Sequence, residues 1–169
     1  MWYNVASILD LSILIFQSGD IMVCTFFGHK DLSSDIDYVL HSVLSDLIDN
    51  RNVDTFYLGN QGNYDKSVLR VLKKLSNQYP QIKVTVVLAY LPTKRNQKIN
   101  CDTLYPDGME NVPLKFAISK RNMWMIEKSD FVVTYVKHQT GNAAKFKEIA
   151  EKKGKTVINT ATLKTDCLL

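Results

Sequence analysis

The stretch from Thr55 to Asp65 decides the fold, and it reads Thr55-Phe56-Tyr57-Leu58-Gly59-Asn60-Gln61-Gly62-Asn63-Tyr64-Asp65. Its first four residues are of the β-branched, aromatic and apolar types that favour a strand. The two glycines that follow let the backbone turn sharply. Apolar residues then repeat at helical spacing from Val68 to Leu75. The stretch therefore predicts a strand, a tight loop and a helix.

The same alternation of strand and helix extends in both directions from this stretch. Four further β-prone runs lie at 23–27, 82–88, 131–136 and 156–158. Three further helices are predicted from apolar spacing, at 36–47, 118–125 and 143–150. Strands that alternate with helices pair in parallel through right-handed crossovers. We therefore predict an α/β fold, a Rossmann-like parallel sheet of about five strands with helices on both faces, with an irregular segment at 92–113 covering the site.

Composition indicates one globular domain. The chain has 169 residues, of which 46% are hydrophobic and 22% charged. The net charge of +4 is spread along the chain and forms no basic patch, so a nucleic-acid partner is not expected. The three cysteines are far apart, and neither a C-x-x-C pair nor a histidine cluster accompanies them. This pattern predicts no disulfide framework, no metal site and a cytoplasmic location.

Residues 1–21 differ from the rest of the chain. They contain an apolar run at 5–16 that Asp10 interrupts, and no basic residue precedes this run. They therefore lack the first region of a signal peptide. The run is also shorter than the roughly 20 apolar residues of a membrane span. We interpret 22–169 as the domain, beginning at Met22, and 1–21 as an appendage upstream of the natural start. A weak membrane-binding or partner-binding segment is the alternative.

The carboxyl ends of the predicted strands indicate where a ligand would bind, because open parallel sheets bind ligands at that edge. The loops there include Gly28-His29, Gly59-Asn60-Gln61-Gly62 and Thr140-Gly141-Asn142. The helix that begins near Asn63 directs unpaired N–H groups and its positive dipole end to this edge, which suits an anion, typically phosphate. The loop is neither a full G-x-G-x-x-G motif nor a Walker A motif. The alternative is that its glycines only shape a tight turn.

Four further side chains are candidates at the same edge. Asp65 suits a helix start through the dipole, and holding a ribose hydroxyl is its alternative role. Arg121, expected near the start of the third helix beside Asn122, would pair bidentately with phosphate, or else form an ion pair within the protein. His29 is more typical of a hydrogen-bonded structural residue than of a catalyst.

The last helix is expected to begin with a side-chain cap from Thr140 or Asn142, and its first N–H groups would either hold phosphate or serve capping alone. No catalytic residue is assigned. The predicted ligand-binding residues are Gly28, His29, Gly59, Asn60, Gln61, Gly62, Asp65, Arg121, Asn122, Thr140, Gly141 and Asn142. We also expect Gly62→Asp to abolish binding and leave the fold intact.

An ordered set of short motifs covers nearly all of 22–160. The set is Cys24-Thr25-Phe26-Phe27-Gly28-His29-Lys30, Tyr57-Leu58-Gly59-Asn60-Gln61-Gly62-Asn63-Tyr64-Asp65, Leu91-Pro92, Lys120-Arg121-Asn122-Met123-Trp124-Met125, Ser129-Asp130 and Thr140-Gly141-Asn142-Ala143-Ala144. With these motifs the chain resembles the YpsA-like branch of the SLOG superfamily, Rossmann-like domains related to the cytokinin-activating LOG proteins and to DprA/Smf. The resemblance implies a nucleotide-derived ligand, such as a nucleotide, NAD or an ADP-ribose-type molecule, and LOG dimers imply a homo-oligomer.

The resemblance also implies which catalytic residue is missing. LOG proteins use an arginine on the third helix, which Arg121 matches, and a glutamate in a P-G-G-x-G-T-x-x-E motif. The position of that glutamate falls on Ala143, Ala144 or Lys145, and Glu148 lies a turn further along. Cleavage of an N-glycosidic bond needs a carboxylate. The resemblance therefore favours binding over LOG-type cleavage.

Three functions remain open at this point. The first is a sensor-like domain that binds a nucleotide-derived ligand without LOG-type catalysis. The second is a nucleotide-processing enzyme, an N-glycosidase or phosphoribohydrolase, that takes its carboxylate from Asp65, Asp31 or Glu127. The third is a nucleic-acid or protein interaction module, which the kinship to DprA allows.

Overall fold

The computed structural model describes residues 21–30, 32, 35–91 and 101–163. Residues 1–20 of the predicted appendage at 1–21 lie outside these residues. The strands are β1 (Met22–Gly28), β2 (Val53–Leu58), β3 (Lys83–Val87), β4 (Asp102–Leu104), β5 (Phe131–Tyr135) and β6 (Thr156–Asn159). The α-helices are α1 (Asp37–Arg51), α2 (Asn63–Ser76), α3 (Leu114–Lys128) and α4 (Asn142–Lys152), and a 3-10 helix spans Met109–Asn111.

The described strands form one sheet in the order β4-β3-β2-β1-β5-β6, and every pair is parallel. The chain builds outward from β1 to β4 and then returns to place β5 on the other side of β1. The strand order therefore reverses between β1 and β5, which is where open α/β sheets form their ligand crevice. The Rossmann-like α/β prediction is confirmed.

Helices cover both faces of the sheet, as predicted. Because successive side chains of a strand point to opposite faces, neighbouring residues enter different cores. Phe26 and Val133 belong to the core that the sheet forms with α1 and α2. Phe27 and Val132 belong to the core formed with α3 and α4. Both faces of the central strands are therefore buried, which explains their nearly continuous apolar sequences.

The sheet has six described strands where the sequence predicted about five. The additional strand, β4, lies inside the segment that was expected to be irregular. It has three residues, and Asp102 and Thr103 are exposed, so no apolar run marks it. The backbone specifies it instead, since β4 pairs with β3 and Leu88 N–H donates to Leu104 O at 2.7 Å. The 3-10 helix that follows buries Met109.

None of the helices in the described part of the chain is both long enough and apolar enough to cross a bilayer.

Candidate functional site

A cavity of about 360 Å³ opens beside the carboxyl ends of β1 and β2. Its volume falls within the roughly 300–1,000 Å³ of sites for small molecules and cofactors. Eight of the twelve predicted residues line it: Gly28, His29, Gly59, Gln61, Asp65, Arg121, Asn122 and Asn142. The other four, which do not line it, are Asn60, Gly62, Thr140 and Gly141. Most of the predicted residues are therefore brought together, although the loops differ in what their glycines do.

Gly28, at the end of β1, is required by packing. A Cβ atom at this position would lie 2.2 Å from the ring of Tyr64. Tyr64 is buried in the first turn of α2, and its hydroxyl donates to Val133 O at 3.3 Å. The glycine therefore lets the tyrosine ring cross the end of the strand and join α2 to β5.

Gly62 connects two loops and lies outside the cavity lining. Its φ of +110° is in the region that favours glycine, and a Cβ atom would lie 2.9 Å from Lys30 Cα. Asn63 N–H donates to Lys30 O at 3.0 Å. The interpretation that a glycine shapes the turn is therefore correct for Gly62. Gly62→Asp is therefore expected to lower stability as well as binding, because a side chain here would meet the backbone of Lys30.

Gly59, at the other end of this loop, does border the cavity. A Cβ atom on Gly59 would lie 2.8 Å from Asp65 Oδ2 and 3.0 Å from both Nη atoms of Arg121. The missing side chain therefore leaves a carboxylate and a guanidinium facing the same point. The neighbouring Asn60 is exposed, and its Oδ1 accepts a hydrogen bond from Gln61 Nε2 at 3.1 Å.

Arg121 is the most deeply placed charged group of the site, with only 2% of the residue exposed. It lies in the middle of α3, and its expected place near the helix start is wrong because α3 already begins at Leu114. Its Nε donates to Asn122 Oδ1 and its Nη1 to Val87 O, both at 2.8 Å. Nη2 has no acceptor among the described residues, and Arg121 lines the cavity.

The Arg121 guanidinium stays charged in spite of its burial. Burial lowers the pKa of Arg121, and the nearby charge of Asp65 raises it. An arginine stays protonated under either influence. The two fixed bonds to Asn122 and Val87 hold the guanidinium in place, so its remaining N–H groups form a rigid donor set at the cavity wall.

Asp65 belongs to the first turn of α2, where the helix dipole favours a negative charge. The residue is half-buried, and its Oδ2 accepts the Gln61 N–H at 2.7 Å. Burial raises the pKa of Asp65 to about 6, and the Gln61 hydrogen bond and the Arg121 charge oppose that rise. Asp65 and Arg121 do not approach within the 4.0 Å of a direct ion pair. A carboxylate that titrates near neutrality therefore faces the cavity.

His29 connects the loop after β1 to the loop after β5. Its Nε2 accepts the Lys137 N–H at 3.1 Å. Its ring contacts Tyr135 edge to face, with centroids 6.5 Å apart, and lies 5.9 Å from the ring of His138. The structural interpretation of His29 therefore fits these contacts, although its side chain also lines the cavity.

The start of α4 departs from the prediction. The N-cap is Gly141, at a φ of +94°, and no side chain caps the helix. The expected cap from Thr140 or Asn142 is therefore wrong, and Thr140 and Gly141 are exposed. Asn142 and Ala143, the first residues of the helix, line the cavity. The first N–H groups of α4, which have no partner within the helix, lie at this wall.

The sequence interpretation missed Lys30 and the apolar wall. Lys30 follows the predicted His29 directly, and its place at a strand end was the available signal. The missed apolar residues of the cavity are Phe26, Phe27, Ile118, Met125, Ala143 and Phe146. Ile118 and Met125 share the helical face of Arg121 and Asn122, so the spacing that identified the polar pair also contained its apolar neighbours.

The candidate carboxylates differ in position. Glu127 is exposed and pairs with Lys153 at 3.6 Å, and it does not line the cavity. Glu148 is exposed and pairs with Lys152 at 2.6 Å. Asp31 lies outside the described residues. Among the described residues that line the cavity, Asp65 is the carboxylate.

No known family model matches the chain, and no curated protein matches it significantly. The resemblance to the YpsA-like branch therefore stays a prediction, supported by the residues quoted for it.

Proposed function

We propose that this protein is a sensor-like SLOG domain that binds a nucleotide-derived ligand and does not cleave it as LOG proteins do. One observation carries the proposal: a buried guanidinium with an unused Nη2 forms part of a cavity wall at the switch point of a Rossmann-like sheet. Burying an arginine is costly unless its hydrogen bonds are satisfied. A ligand that accepts a hydrogen bond from Nη2 provides a partner for this donor.

The cavity lining contains groups that suit both ends of a nucleotide. The exposed Lys30 and the first N–H groups of α4, at Asn142 and Ala143, suit a phosphate. The apolar wall that includes Ile118 and Met125 suits a flat base. The ligand classes that this arrangement favours are nucleotides, NAD and ADP-ribose-type molecules.

The start of α4 supports binding over cleavage. The positions where LOG proteins have their glutamate are Ala143, Ala144 and Lys145, which have no carboxylate. Glu148 is exposed, and its pKa is lowered by the hydrogen bond from Lys152. A paired carboxylate on the exposed face of the helix does not stabilise an oxocarbenium-like charge inside the cavity.

Isothermal titration calorimetry with AMP, GMP, CMP, UMP, NAD and ADP-ribose tests the proposal. We expect at least one of these to bind. Lys30→Gln should then weaken binding about tenfold, because it removes a charge-assisted contact to phosphate worth about 1.5 kcal/mol. The matched control is Lys66→Gln, an exposed lysine of α2 that does not line the cavity, which should leave affinity unchanged. Absence of binding by every molecule of the panel contradicts the proposal.

A second function is favoured by the state of Asp65. A carboxylate with a pKa of about 6 is suited to general acid–base catalysis near neutral pH. We therefore propose nucleotide processing as the alternative function, with Asp65 as its carboxylate. Incubation with nucleoside monophosphates and NAD, followed by chromatography for free base, tests it. Release of base by the wild type and not by Asp65→Asn supports the alternative, and no release above buffer rejects it for those substrates.

Two further proposals concern the cellular compartment and the oligomeric state. Cys24 and Cys101 are both unpaired, which supports a reducing compartment such as the cytoplasm. The resemblance to LOG dimers supports a homo-oligomer, and light scattering on the full chain measures it directly.

A further inference from the structure

The two ionisable groups beside Gly59 face one point of the cavity with opposite charges. The carboxylate of Asp65 and the guanidinium of Arg121 lie 2.8 and 3.0 Å from the position of a Cβ atom on Gly59. They are not joined by a direct ion pair within 4.0 Å. Their arrangement is therefore suited to a third group that contacts both.

Both groups have hydrogen-bonding capacity left. Asp65 Oδ2 accepts from Gln61, and no described residue donates to Oδ1. Arg121 uses Nε and Nη1, and no described residue accepts from Nη2. A carboxylate only accepts and a guanidinium only donates. The complementary ligand group must therefore both donate and accept, as a hydroxyl does.

The local charge disfavours a phosphate at this point. A phosphate beside Arg121 would also face the Asp65 carboxylate, and the repulsion would offset the attraction. Lys30 and the first residues of α4 also line the cavity, and they supply a positive charge and N–H donors. The anionic end of a ligand therefore belongs with these groups, which leaves Asp65 and Arg121 for an uncharged part.

We propose that Asp65 and Arg121 recognise the vicinal hydroxyls of a ribose in the ligand. Asp65 accepts from one hydroxyl, and Arg121 donates to the oxygen of its neighbour. Gly59 is part of the recognition, since a side chain there would occupy the space that the sugar needs. The inference rests on the proposed function and assigns Arg121 to the sugar, where the sequence had suggested phosphate.

Calorimetry with matched ligands tests the inference on the full chain. The probes are AMP with its 2′-deoxy and 3′-deoxy counterparts, and the same sets for GMP, CMP and UMP. We expect each deoxy compound to bind about 10- to 100-fold more weakly than its ribose parent, because each loses a charge-assisted hydrogen bond. Asp65→Asn should reduce this ratio to below about threefold for the deoxy compound that lacks the Asp65-bound hydroxyl, since a neutral amide oxygen replaces a charged acceptor, and should leave the ratio for the other deoxy compound near its wild-type value. The control Asp107→Asn, at an exposed site outside the cavity, should leave the ratio unchanged.

The outcomes separate the inference from the proposed function. Equal affinities of the wild type for ribose and deoxyribose ligands overturn the inference and leave nucleotide binding standing. The inference is also overturned if Asp65→Asn weakens the binding of ribose and deoxyribose ligands equally and does so for one base alone. Asp65 and Arg121 would then recognise the base. No binding by any probe overturns the inference, and it overturns the proposed function as well when NAD and ADP-ribose also fail to bind. The wild-type ratio is measured without any substitution, so a variant that fails to fold does not prevent the test.

Discussion

Two glycines start helices in this protein with nearly the same backbone conformation but different surroundings. Gly62 precedes α2 with φ +110° and ψ 178°, and Gly141 precedes α4 with φ +94° and ψ 174°. A Cβ atom on Gly62 would lie 2.9 Å from Lys30 Cα, whereas one on Gly141 would meet nothing within 4 Å. The start of α2 is therefore packed against the loop after β1, and the start of α4 is open.

The difference assigns different tasks to the two helix starts. At α2 the loop is fixed by Lys30 and by the Asp65 carboxylate, which accepts the Gln61 N–H. At α4 no side chain caps the helix, so its first N–H groups stay available beside the cavity. Under the proposed function, the fixed start of α2 positions polar side chains, and the open start of α4 binds the anionic end of the ligand through its backbone. A glycine directly before a helix can therefore mark either a packed helix start or an open one.

The largest expected effect comes from adding one methyl group at each glycine. The strained backbone alone should make Gly141→Ala less stable by about 2 kcal/mol. Gly62→Ala has the same strain and in addition forces Lys30 to move, so it should lose about 4 kcal/mol. Urea unfolding of both variants and the wild type measures the difference. Equal losses would mean that the two helix starts are alike and would remove the basis of the comparison.

A smaller effect should appear in the pH dependence of stability. Burial raises the pKa of Asp65 from 3.8 to about 6. Between these values the folded protein keeps a proton that the unfolded chain has lost, so this contribution is complete below pH 3.8 and is lost as pH rises through about 6. The free energy of unfolding should therefore fall by about 3 kcal/mol across this window relative to Asp65→Asn.

The comparison with Asp65→Asn is needed because other carboxylates act in the opposite direction. A hydrogen bond from Arg70 lowers the pKa of Asp37, which adds stability as pH rises. This contribution is common to the wild type and the variant and cancels in their difference. A difference that stays constant from pH ~4 to ~7 would show that Asp65 is not held in an environment that favours its neutral form.

The fold was predictable from the sequence where apolar runs specify it. The central strands are buried on both faces, and their runs at 23–27 and 131–136 are correspondingly continuous. β4 was not predictable, because Asp102 and Thr103 are exposed and only backbone pairing with β3 defines the strand. A short edge strand leaves no periodicity to detect.

The site was predictable to the extent that topology determines it. Parallel strands end at one edge of the sheet, so the loops at Gly28 and Gly59 had to meet there. The position of Arg121 within α3 was not predictable, because the first turn of that helix has its large apolar residues Leu114 and Phe116 exposed and so does not continue the buried apolar spacing. The packing requirement for a glycine at position 28 was not predictable either. Its contact Tyr64 is distant in sequence and is brought close only by the fold.

The smallest expected effect concerns Thr140, the residue that the sequence suggested as a cap. A threonine that caps a helix through its side chain typically contributes about 1 kcal/mol. Because Gly141 is the N-cap and no side chain caps α4, Thr140→Ala should change the free energy of unfolding by less than about 0.5 kcal/mol. Asp35→Ala should cost about 1 kcal/mol in the same measurement, because it removes the hydrogen bond that Asp35 Oδ1 accepts from the Asp37 N–H at 3.0 Å, at the first residue of α1. A loss in Thr140→Ala as large as that in Asp35→Ala would mean that the hydroxyl caps α4 after all. The first N–H groups of α4 would then be partly occupied, and the contrast between a packed and an open helix start would be smaller than the backbone geometry indicates.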